Sequence, residues 1–260
     1  ERIRSRDTQY PYRQDSDFWY LTGCAEPEAV LVLVPGRRHG ESLLFCRERD
    51  PEREGWDGPR LGPDGAVELL GMDDAYPISD IDDILPGLLE GRRRVHYHLG
   101  RDADFDLKLI GWLNRVRAQA RQGAQPPQEF LELGHLLDEM RLFKSADEVK
   151  LMQRAADISV EAHRAAMRAA RAGIHEYELQ AEVERVFRMH DAQPAYGSIV
   201  GVGANACVLH YRAGNIPVHK GEQVLLAAGC ELDGYASDIT RRFPANGRFT
   251  SPQRAVYDLV

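Results

Sequence analysis

An Asp-Gly pair, Asp233-Gly234, lies between two segments with strand patterning, and it constrains the fold more than any other feature of this sequence. Asp-Gly favours a two-residue type I′ turn, because both central positions of that turn need positive φ. Such a turn places Ala227 opposite Thr240. Gly229 then faces Asp238 across the same hairpin. Because side chains alternate between the two faces of a strand, Ala227 and Asp238 become diagonal neighbours on one face.

Asp238 is the one carboxylate at those two diagonal positions, because position 227 is alanine. Two carboxylates there could hold two divalent ions about 3.5–4 Å apart. The spacing by itself therefore indicates little. An Asp close to Ser237 and Thr240 is more often a hydrogen-bonded surface residue.

Length and composition indicate a globular protein of one large domain or two ordinary ones. The chain has 260 residues, of which 43% are hydrophobic and 28% charged, as in folded proteins. Its formal net charge of -8 argues against a nucleic-acid partner, because phosphate binding needs a basic surface. No apolar run approaches the roughly 20 residues that span a bilayer, so no membrane partner is expected. Four widely spaced cysteines are typical of reduced, mostly buried thiols in a cytoplasmic protein.

The first part of the chain shows the alternation of strands and helices that is typical of an α/β domain. The predicted elements are strands at 28–34, 41–47 and 95–99, helices at 81–89 and 105–116, and loops at 55–65 and 122–128. The first of these strands is a continuous apolar run, which predicts burial on both faces. We assign residues 1–135 to this N-terminal domain, whose polar beginning is predicted to be coil.

Residues 136–260 are assigned to a second domain. Ser145 and Glu148 form a capping box that starts a long helix, closed near Gly173. The elements predicted after it are a helix at 179–187 and strands at 198–202, 207–211, 223–228 and 235–243. Ser251-Pro252 has the pattern of an N-cap followed by proline at the first helical position, and no cap follows before Val260. We therefore expect the chain to be part of a longer protein.

The hairpin sequence resembles the metal hairpin of the bacterial Xaa-Pro aminopeptidases (aminopeptidase P), which are metallopeptidases of the pita-bread fold. The similarity lies in LLAAGCE at 225–231 and GYASDITRRFP at 234–244. Other segments resemble the same family, in the same order along the chain: SDFWYLTG at 16–23, EPEAV at 26–30, the loop with Trp56, EMRLFKS at 139–145 and VLHY at 208–211. Several separated motifs in the right order make the resemblance specific.

This resemblance implies an α/β N-terminal domain of the creatinase/aminopeptidase P type, followed by a partial α+β pita-bread catalytic domain. It implies release of the N-terminal residue from peptides with proline in second position. The attacking hydroxide is shared between two divalent ions, usually Mn²⁺. The implied partners are Xaa-Pro peptides and further copies of the chain, in a dimer or tetramer.

Three residues acquire roles from the resemblance. Asp238 matches the second metal-binding Asp of the hairpin, which bridges both ions. His210 matches a catalytic His that hydrogen-bonds the substrate or shuttles a proton. Trp56 matches an aromatic that helps to close a neighbouring subunit's substrate pocket. Without the resemblance, His210 is more often a hydrogen-bonded strand residue and Trp56 a packing aromatic.

Position 227 departs from the family pattern, because Ala227 stands where the family has its first metal-binding Asp. A methyl group coordinates no metal. The family's remaining ligands, one His and two Glu, fall beyond Val260, and hard divalent ions need several oxygen or nitrogen ligands. Arg242 also adds a cation to the hairpin where a smaller residue is usual. We therefore expect an impaired or incomplete metal centre.

Two other functions stay open from the sequence. A metal-poor relative would bind peptides or partner proteins without hydrolysis, since a fold alone does not define a function. A creatinase-type hydrolase uses the same two-domain plan and works without metal. Among other candidate residues, His96 and His98 share a strand face without a third ligand nearby. Cys207 and Cys230 are expected to be buried structural thiols rather than nucleophiles.

Overall fold

A computed structural model describes residues 3–212 and 214–260 of the chain. The chain divides into two compact units, Glu1–Phe143 and Lys144–Val260. This division lies eight residues beyond the predicted domain boundary at 135/136. The coil predicted at the N-terminus begins with residues 1 and 2, which are outside the described residues. From Ile3 onward the coil prediction is wrong, because two short strands pair there.

The first unit contains seven strands and six α-helices within its described residues. They are β1 Ile3–Ser5, β2 Thr8–Gln9, α1 Ser16–Thr22, β3 Val30–Leu33, β4 Ser42–Cys46, α2 Pro51–Asp57, α3 Gly62–Leu70, β5 Asp74–Pro77, α4 Ile81–Leu89, β6 Arg94–His96, α5 Ala103–Ala118, β7 Glu129–Leu131 and α6 Gly134–Leu142. Strand β4 is central in a three-stranded sheet, antiparallel to β3 and parallel to β5. Strands β6 and β7 form a separate parallel pair.

Strand β4 is fully buried on both of its faces. Phe45 packs in one cluster with helices α4 and α5, whereas Leu44 packs in another with helix α3. The sequence predicted burial on both faces for the run at 28–34, and the structure bears this out in part. Val30 and Val32 of β3 pack, partly buried, against the first cluster, and Leu31 packs against the second. Strand β3 lies at the sheet edge with one neighbour, and its Leu33 is 55% exposed.

The loop predicted at 55–65 is also wrong, because it overlaps helices α2 and α3. Asp50 caps α2 by accepting the backbone N–H groups of Glu52 and Arg53, and Pro51 occupies the first turn. Proline is favoured there since its missing N–H would have no partner in the helix. The prediction of a loop at 122–128 is confirmed except for Gln122, which ends a short 3₁₀ helix at Ala120–Gln122.

The second unit packs two long helices on two three-stranded antiparallel sheets. Its elements are α7 Ala146–Ala169, α8 Glu176–Met189, β8 Gln193–Pro194, β9 Ile199–Val202, β10 Gln223–Ala228, β11 Cys230–Leu232, β12 Tyr235–Ala236, β13 Ile239–Pro244 and α9 Ser251–Tyr257. The predicted capping box is confirmed, since Ser145 and Glu148 bond reciprocally to each other's backbone N–H. At α9 the N-cap is Thr250 rather than Ser251.

Strand β10 is the centre of the sheet β13–β10–β9. Its alternate residues Val224, Leu226 and Ala228 are fully buried in the core with helices α7 and α8. Leu225 and Ala227 therefore face the opposite side of the sheet. None of the helices formed by residues 3–212 and 214–260 has the length and apolar character needed to cross a bilayer.

Candidate functional site

The Asp-Gly hairpin has the register that the sequence predicts. Asp233 and Gly234 both have positive φ, 48° and 79°, and Ala227 pairs with Thr240 across β10 and β13. Asp238 immediately precedes β13. Ala227, Asp238 and Thr240 consequently line one cavity of about 640 Å³.

Gly229 lets the hairpin pass from one sheet to the next. Strand β10 pairs with β13, whereas β11, which begins at Cys230, pairs with β12 and β8. At the crossing the two chains approach so closely that a Cβ on Gly229 would lie 1.7 Å from the carbonyl oxygen of Ser237. Ser159 of helix α7 holds this point, because its Oγ accepts the Cys230 N–H and bonds the Ser237 hydroxyl. The close approach aims Asp238 into the cavity.

Tyr196 orients the Asp238 carboxylate. Its hydroxyl donates to Asp238 Oδ1 at 2.7 Å, and both residues line the cavity. Burial, together with the hydrogen bond to Asp238 and the charge of that carboxylate, raises the pKa of Tyr196 above its usual value of 10.0. Tyr196 therefore stays protonated and remains a donor at neutral pH, and it leaves Oδ2 of Asp238 available for another partner.

His210 lies on the loop between β9 and β10 and lines the same cavity. The strand predicted at 207–211 is wrong, because Gly203–Cys207 forms a 3₁₀ helix and a turn follows it. The side chain of His210 is exposed. The His210 side chain is therefore not part of a packed sheet. It lines the same cavity as Asp238 and Ala227.

The other residues singled out by the sequence lie in varied settings. Trp56 lies on helix α2 of the first unit and is 86% exposed. Cys207 lines the cavity and is exposed, so its expected burial is wrong, whereas Cys230 is buried as expected. His98 bonds the carboxylate of Glu132 through Nδ1. Arg242 pairs with Leu225 across the sheet and is exposed.

Sequence reasoning missed His163, which lies directly beneath the hairpin. This residue of helix α7 is 3% exposed, and its Nε2 bonds the carbonyl oxygen of Ala228 at 3.2 Å. Its Nδ1 has no hydrogen-bond partner. The signal in the sequence is a histidine within the apolar stripe of a helix, where neighbours such as Ser159 and Ala166 are buried.

Burial of His163 makes the stability of the fold depend on pH. Burial, aided by the charge of Arg241, lowers the pKa of His163 below its usual 6.5, although carbonyl hydrogen bonds oppose the shift. The unfolded chain therefore takes up a proton before the folded chain does. The contribution of neutral His163 to the free energy of unfolding is therefore fully present above about pH 6.5. It falls as the pH drops below that value, until His163 is protonated in the folded state too.

We expect His163→Gln to remove this part of the pH dependence. Thermal unfolding measured between pH 7.5 and pH 5.0 should show a melting temperature that falls a few degrees less in the variant than in the parent protein. Exposed His219 offers the matched control, since His219→Gln should follow the parent profile. Parallel profiles for all three proteins would contradict the assignment.

The residues that the structure describes do not complete a metal site by themselves. Within the described ranges, 3–212 and 214–260, no group of three or more His, Cys, Asp or Glu side chains is placed to hold a metal ion. Asp238 supplies one carboxylate, and Ala227 supplies a methyl group beside it. Divalent ions need more ligands than this pair can offer.

Comparison with known proteins defines the class to which this fold and hairpin belong. Residues 1–97 match the family described as Aminopeptidase P, N-terminal domain. Residues 150–260 match Metallopeptidase family M24. The chain therefore combines an N-terminal aminopeptidase P domain with part of a pita-bread metallopeptidase domain, which confirms the predicted fold class. M24 membership implies divalent metal ions as cofactors.

Individual relatives define the branch. The chain is 45% identical over its whole length to Xaa-Pro aminopeptidase of Escherichia coli and 40% identical to that of Haemophilus influenzae. These alignments span 59% and 58% of the relatives' own lengths. The chain belongs to the Xaa-Pro aminopeptidase (aminopeptidase P) family.

Solved structures agree with this assignment. Aminopeptidase PepP of Pseudomonas aeruginosa is 61% identical and superposes with a TM-score of 0.97, covering 99% of this chain and 59% of that one. A zinc-substituted Escherichia coli aminopeptidase P in complex with product superposes with a TM-score of 0.95 at 45% identity, covering 100% of this chain and 60% of that one.

Proposed function

We propose that this protein is an Xaa-Pro aminopeptidase, which releases the N-terminal residue from peptides that carry proline in second position. One observation carries the proposal. His210 and Asp238, which belong to separate family motifs, line a single cavity in a chain 45% identical over its length to an Xaa-Pro aminopeptidase. Convergence of distant motifs on one cavity supports a common catalytic purpose.

In this proposal the cavity residues have distinct tasks. His210 is exposed on its loop and can donate a hydrogen bond to the scissile carbonyl oxygen or shuttle a proton. Tyr196 holds the Asp238 carboxylate in a fixed orientation through the 2.7 Å hydrogen bond. Ile199 and Leu225 give the cavity an apolar wall, which suits a proline ring because apolar burial needs no hydrogen-bond partner.

Manganese is the cofactor in our proposal, and Asp238 is the residue of this chain that would contact it. Ala227 offers no oxygen at the neighbouring position on the same face of the sheet. We propose that divalent-ion affinity is therefore lower than in a relative with Asp at that position. Full-length protein in a manganese titration would report this affinity directly.

Trp56 supports a proposal about assembly. Its side chain is 86% exposed on a short helix, and large aromatics are enriched in protein interfaces. We propose a homo-oligomer, a dimer or a tetramer, in which Trp56 contacts the substrate in a neighbouring copy.

The four cysteines are free thiols, which supports a cytoplasmic location because free thiols persist in a reducing compartment.

A second candidate function is peptide binding without hydrolysis. The observation that favours it is Ala227, a methyl group on the cavity wall beside the lone carboxylate of Asp238. A protein of this kind would keep the apolar wall and His210 as a binding surface. It would bind Xaa-Pro peptides and leave their first bond intact.

Hydrolysis of a tripeptide such as Ala-Pro-Ala by the full-length protein with added Mn²⁺ tests the proposed function. We expect free alanine to appear at least about tenfold faster than from Ala-Ala-Ala. His210→Ala should reduce kcat on the order of 100-fold, within the range that positioned proton-transfer groups contribute. The matched control is His219→Ala, because His219 is exposed and lies outside the cavity lining.

The alternatives give different outcomes in the same experiment. Binding of Ala-Pro-Ala in a calorimeter with no released alanine would favour the non-hydrolytic module. Metal-independent hydrolysis of creatine would favour the creatinase-type reaction. Equal rates on both tripeptides would contradict specificity for proline.

A further inference from the structure

The carboxylate of Glu176 is the most completely hydrogen-bonded buried group in the described part of the second unit that the proposed chemistry does not use. Glu176 is the first residue of helix α8 and is fully buried. Its Oε1 accepts the Val202 backbone N–H at 3.0 Å and the Asn205 amide at 2.9 Å. Its Oε2 accepts the Tyr211 hydroxyl at 2.7 Å and the Gly214 backbone N–H at 3.2 Å.

All four donors lie in one stretch of chain, which runs from the last residue of β9 into the segment that joins β9 to β10. Val202 ends β9, Asn205 lies in the 3₁₀ helix, Tyr211 follows the turn, and Gly214 lies beyond it. The backbone of Glu176 makes a further hydrogen bond to this segment, because its N–H donates to the carbonyl oxygen of Ile216. We call residues 203–212 the histidine loop, because His210 lies within it.

The donors are neutral, so the negative charge of Glu176 is balanced by dipoles rather than by a cation. A carboxylate at the first turn of a helix is stabilised by the helix dipole, and charge-assisted hydrogen bonds are stronger than neutral ones. In agreement with this, the hydrogen bond to Glu176 is the main cause that raises the pKa of Tyr211. A neutral amide in place of the carboxylate cannot accept all four donors.

The loop itself is built around this carboxylate. Asn205 also donates to the Tyr211 hydroxyl at 3.0 Å, which closes a ring of three side chains with Glu176. A Cβ on Gly214 would lie 2.7 Å from that hydroxyl, so a side chain at position 214 would displace the Tyr211 hydroxyl from its place beside Glu176. The cavity residues Cys207, Leu209 and His210 lie between these anchors.

We propose that Glu176 is a positioning residue that holds the histidine loop and thereby places His210 in the cavity. Its role in catalysis rests on the proposed function, whereas its role in ordering the loop does not. Glu176 does not itself line the cavity, whereas Tyr211, which donates to its carboxylate, does. Its effect on turnover must therefore pass through the loop.

The first test is hydrogen–deuterium exchange of the full-length protein, which measures how well the backbone of the loop is ordered and does not depend on catalytic activity. Glu176→Gln should raise exchange of residues 203–212 at least tenfold, with exchange in helix α7 unchanged. Glu178→Gln is the matched control, because Glu178 lies in the same first turn but bonds only His175. If Glu176→Gln does not fold, Tyr211→Phe removes one hydroxyl and should raise exchange of the same segment. Unchanged exchange in whichever variant folds would overturn the proposal.

The second test asks whether Glu176 acts through His210. In Ala227→Asp protein with Mn²⁺, Glu176→Gln should lower kcat for Ala-Pro-Ala at least tenfold and change KM less. Added to His210→Ala, it should cause no further loss, whereas a merely structural role would multiply the two losses and overturn the proposal. If no variant hydrolyses the peptide, the proposed function fails, and the exchange experiment alone decides the role of Glu176.

Discussion

Replacing Ala227 by Asp should raise Xaa-Pro hydrolysis by the full-length protein on the order of 1000-fold in the presence of Mn²⁺. Ala227 and Asp238 line the same cavity, and their diagonal placement across the hairpin suits two carboxylates that share divalent ions. A missing direct ligand should cost more than the 10–100-fold typical of residues that only support a ligand.

Two variants control for this result. Ala227→Asn has the same shape without the charge, so its gain should be far smaller. Asp238→Asn in the Ala227→Asp background should abolish the gain, because the two carboxylates act as one site.

A stability readout separates metal binding from turnover. Ala227 is 8% exposed, so an unpaired carboxylate there is costly to bury. Without metal the Ala227→Asp protein should melt below the parent, and Mn²⁺ should raise its melting temperature by binding the folded state alone. Absence of both the Mn²⁺-dependent shift and the activity gain would show that position 227 does not face a metal site.

Gly229→Ala should destabilise the second unit by about 3 kcal/mol or more, at the upper end of the cost of inserting a methyl group into a packed interior. The new Cβ would lie 1.7 Å from the carbonyl oxygen of Ser237 and 3.0 Å from Asp238 Cα. Both are backbone atoms, so no side chain can move aside. The strands would have to separate at the point where Ser159 holds them to helix α7.

Thermal or denaturant unfolding measures this effect, with an expected fall in melting temperature of roughly 10 °C. Gly111→Ala is the matched control. Gly111 lies within helix α5, and a Cβ there meets no atom within 4 Å. That variant should be neutral or slightly stabilised, since alanine is the better helix former. An unfolding transition of Gly229→Ala at the parent temperature would show that the crossing tolerates a side chain.

The fold could be predicted well wherever local chemistry decides it. The capping box at Ser145 and the strand at 223–228 appear in the structure as predicted. Predictions failed where tertiary contacts override the local pattern. The apolar run at 207–211 reads as a strand, but Tyr211 and Asn205 bond the buried Glu176, so the backbone turns instead.

Burial was the least predictable property. The runs at 28–34 and 41–47 are both apolar, and only the sheet order makes β4 central and β3 an edge. The same limit applies to Cys207, which is exposed in the cavity wall although cysteines are mostly buried. Neighbours distant in sequence decide burial, so no local pattern reports it.

The sequence by itself determined the hairpin register, since an Asp-Gly turn and the alternation of side chains leave one arrangement of Ala227 against Thr240. It also determined the family, through motifs spread along the chain. Only the tertiary structure decided that His210 reaches the cavity on a loop. The same holds for the hydrogen bonds that Tyr196 makes to Asp238, His163 to the hairpin backbone and Glu176 to the histidine loop. The physical reason is that a turn depends on backbone preferences of adjacent residues, whereas a buried polar group acquires its partners from segments that meet only after folding.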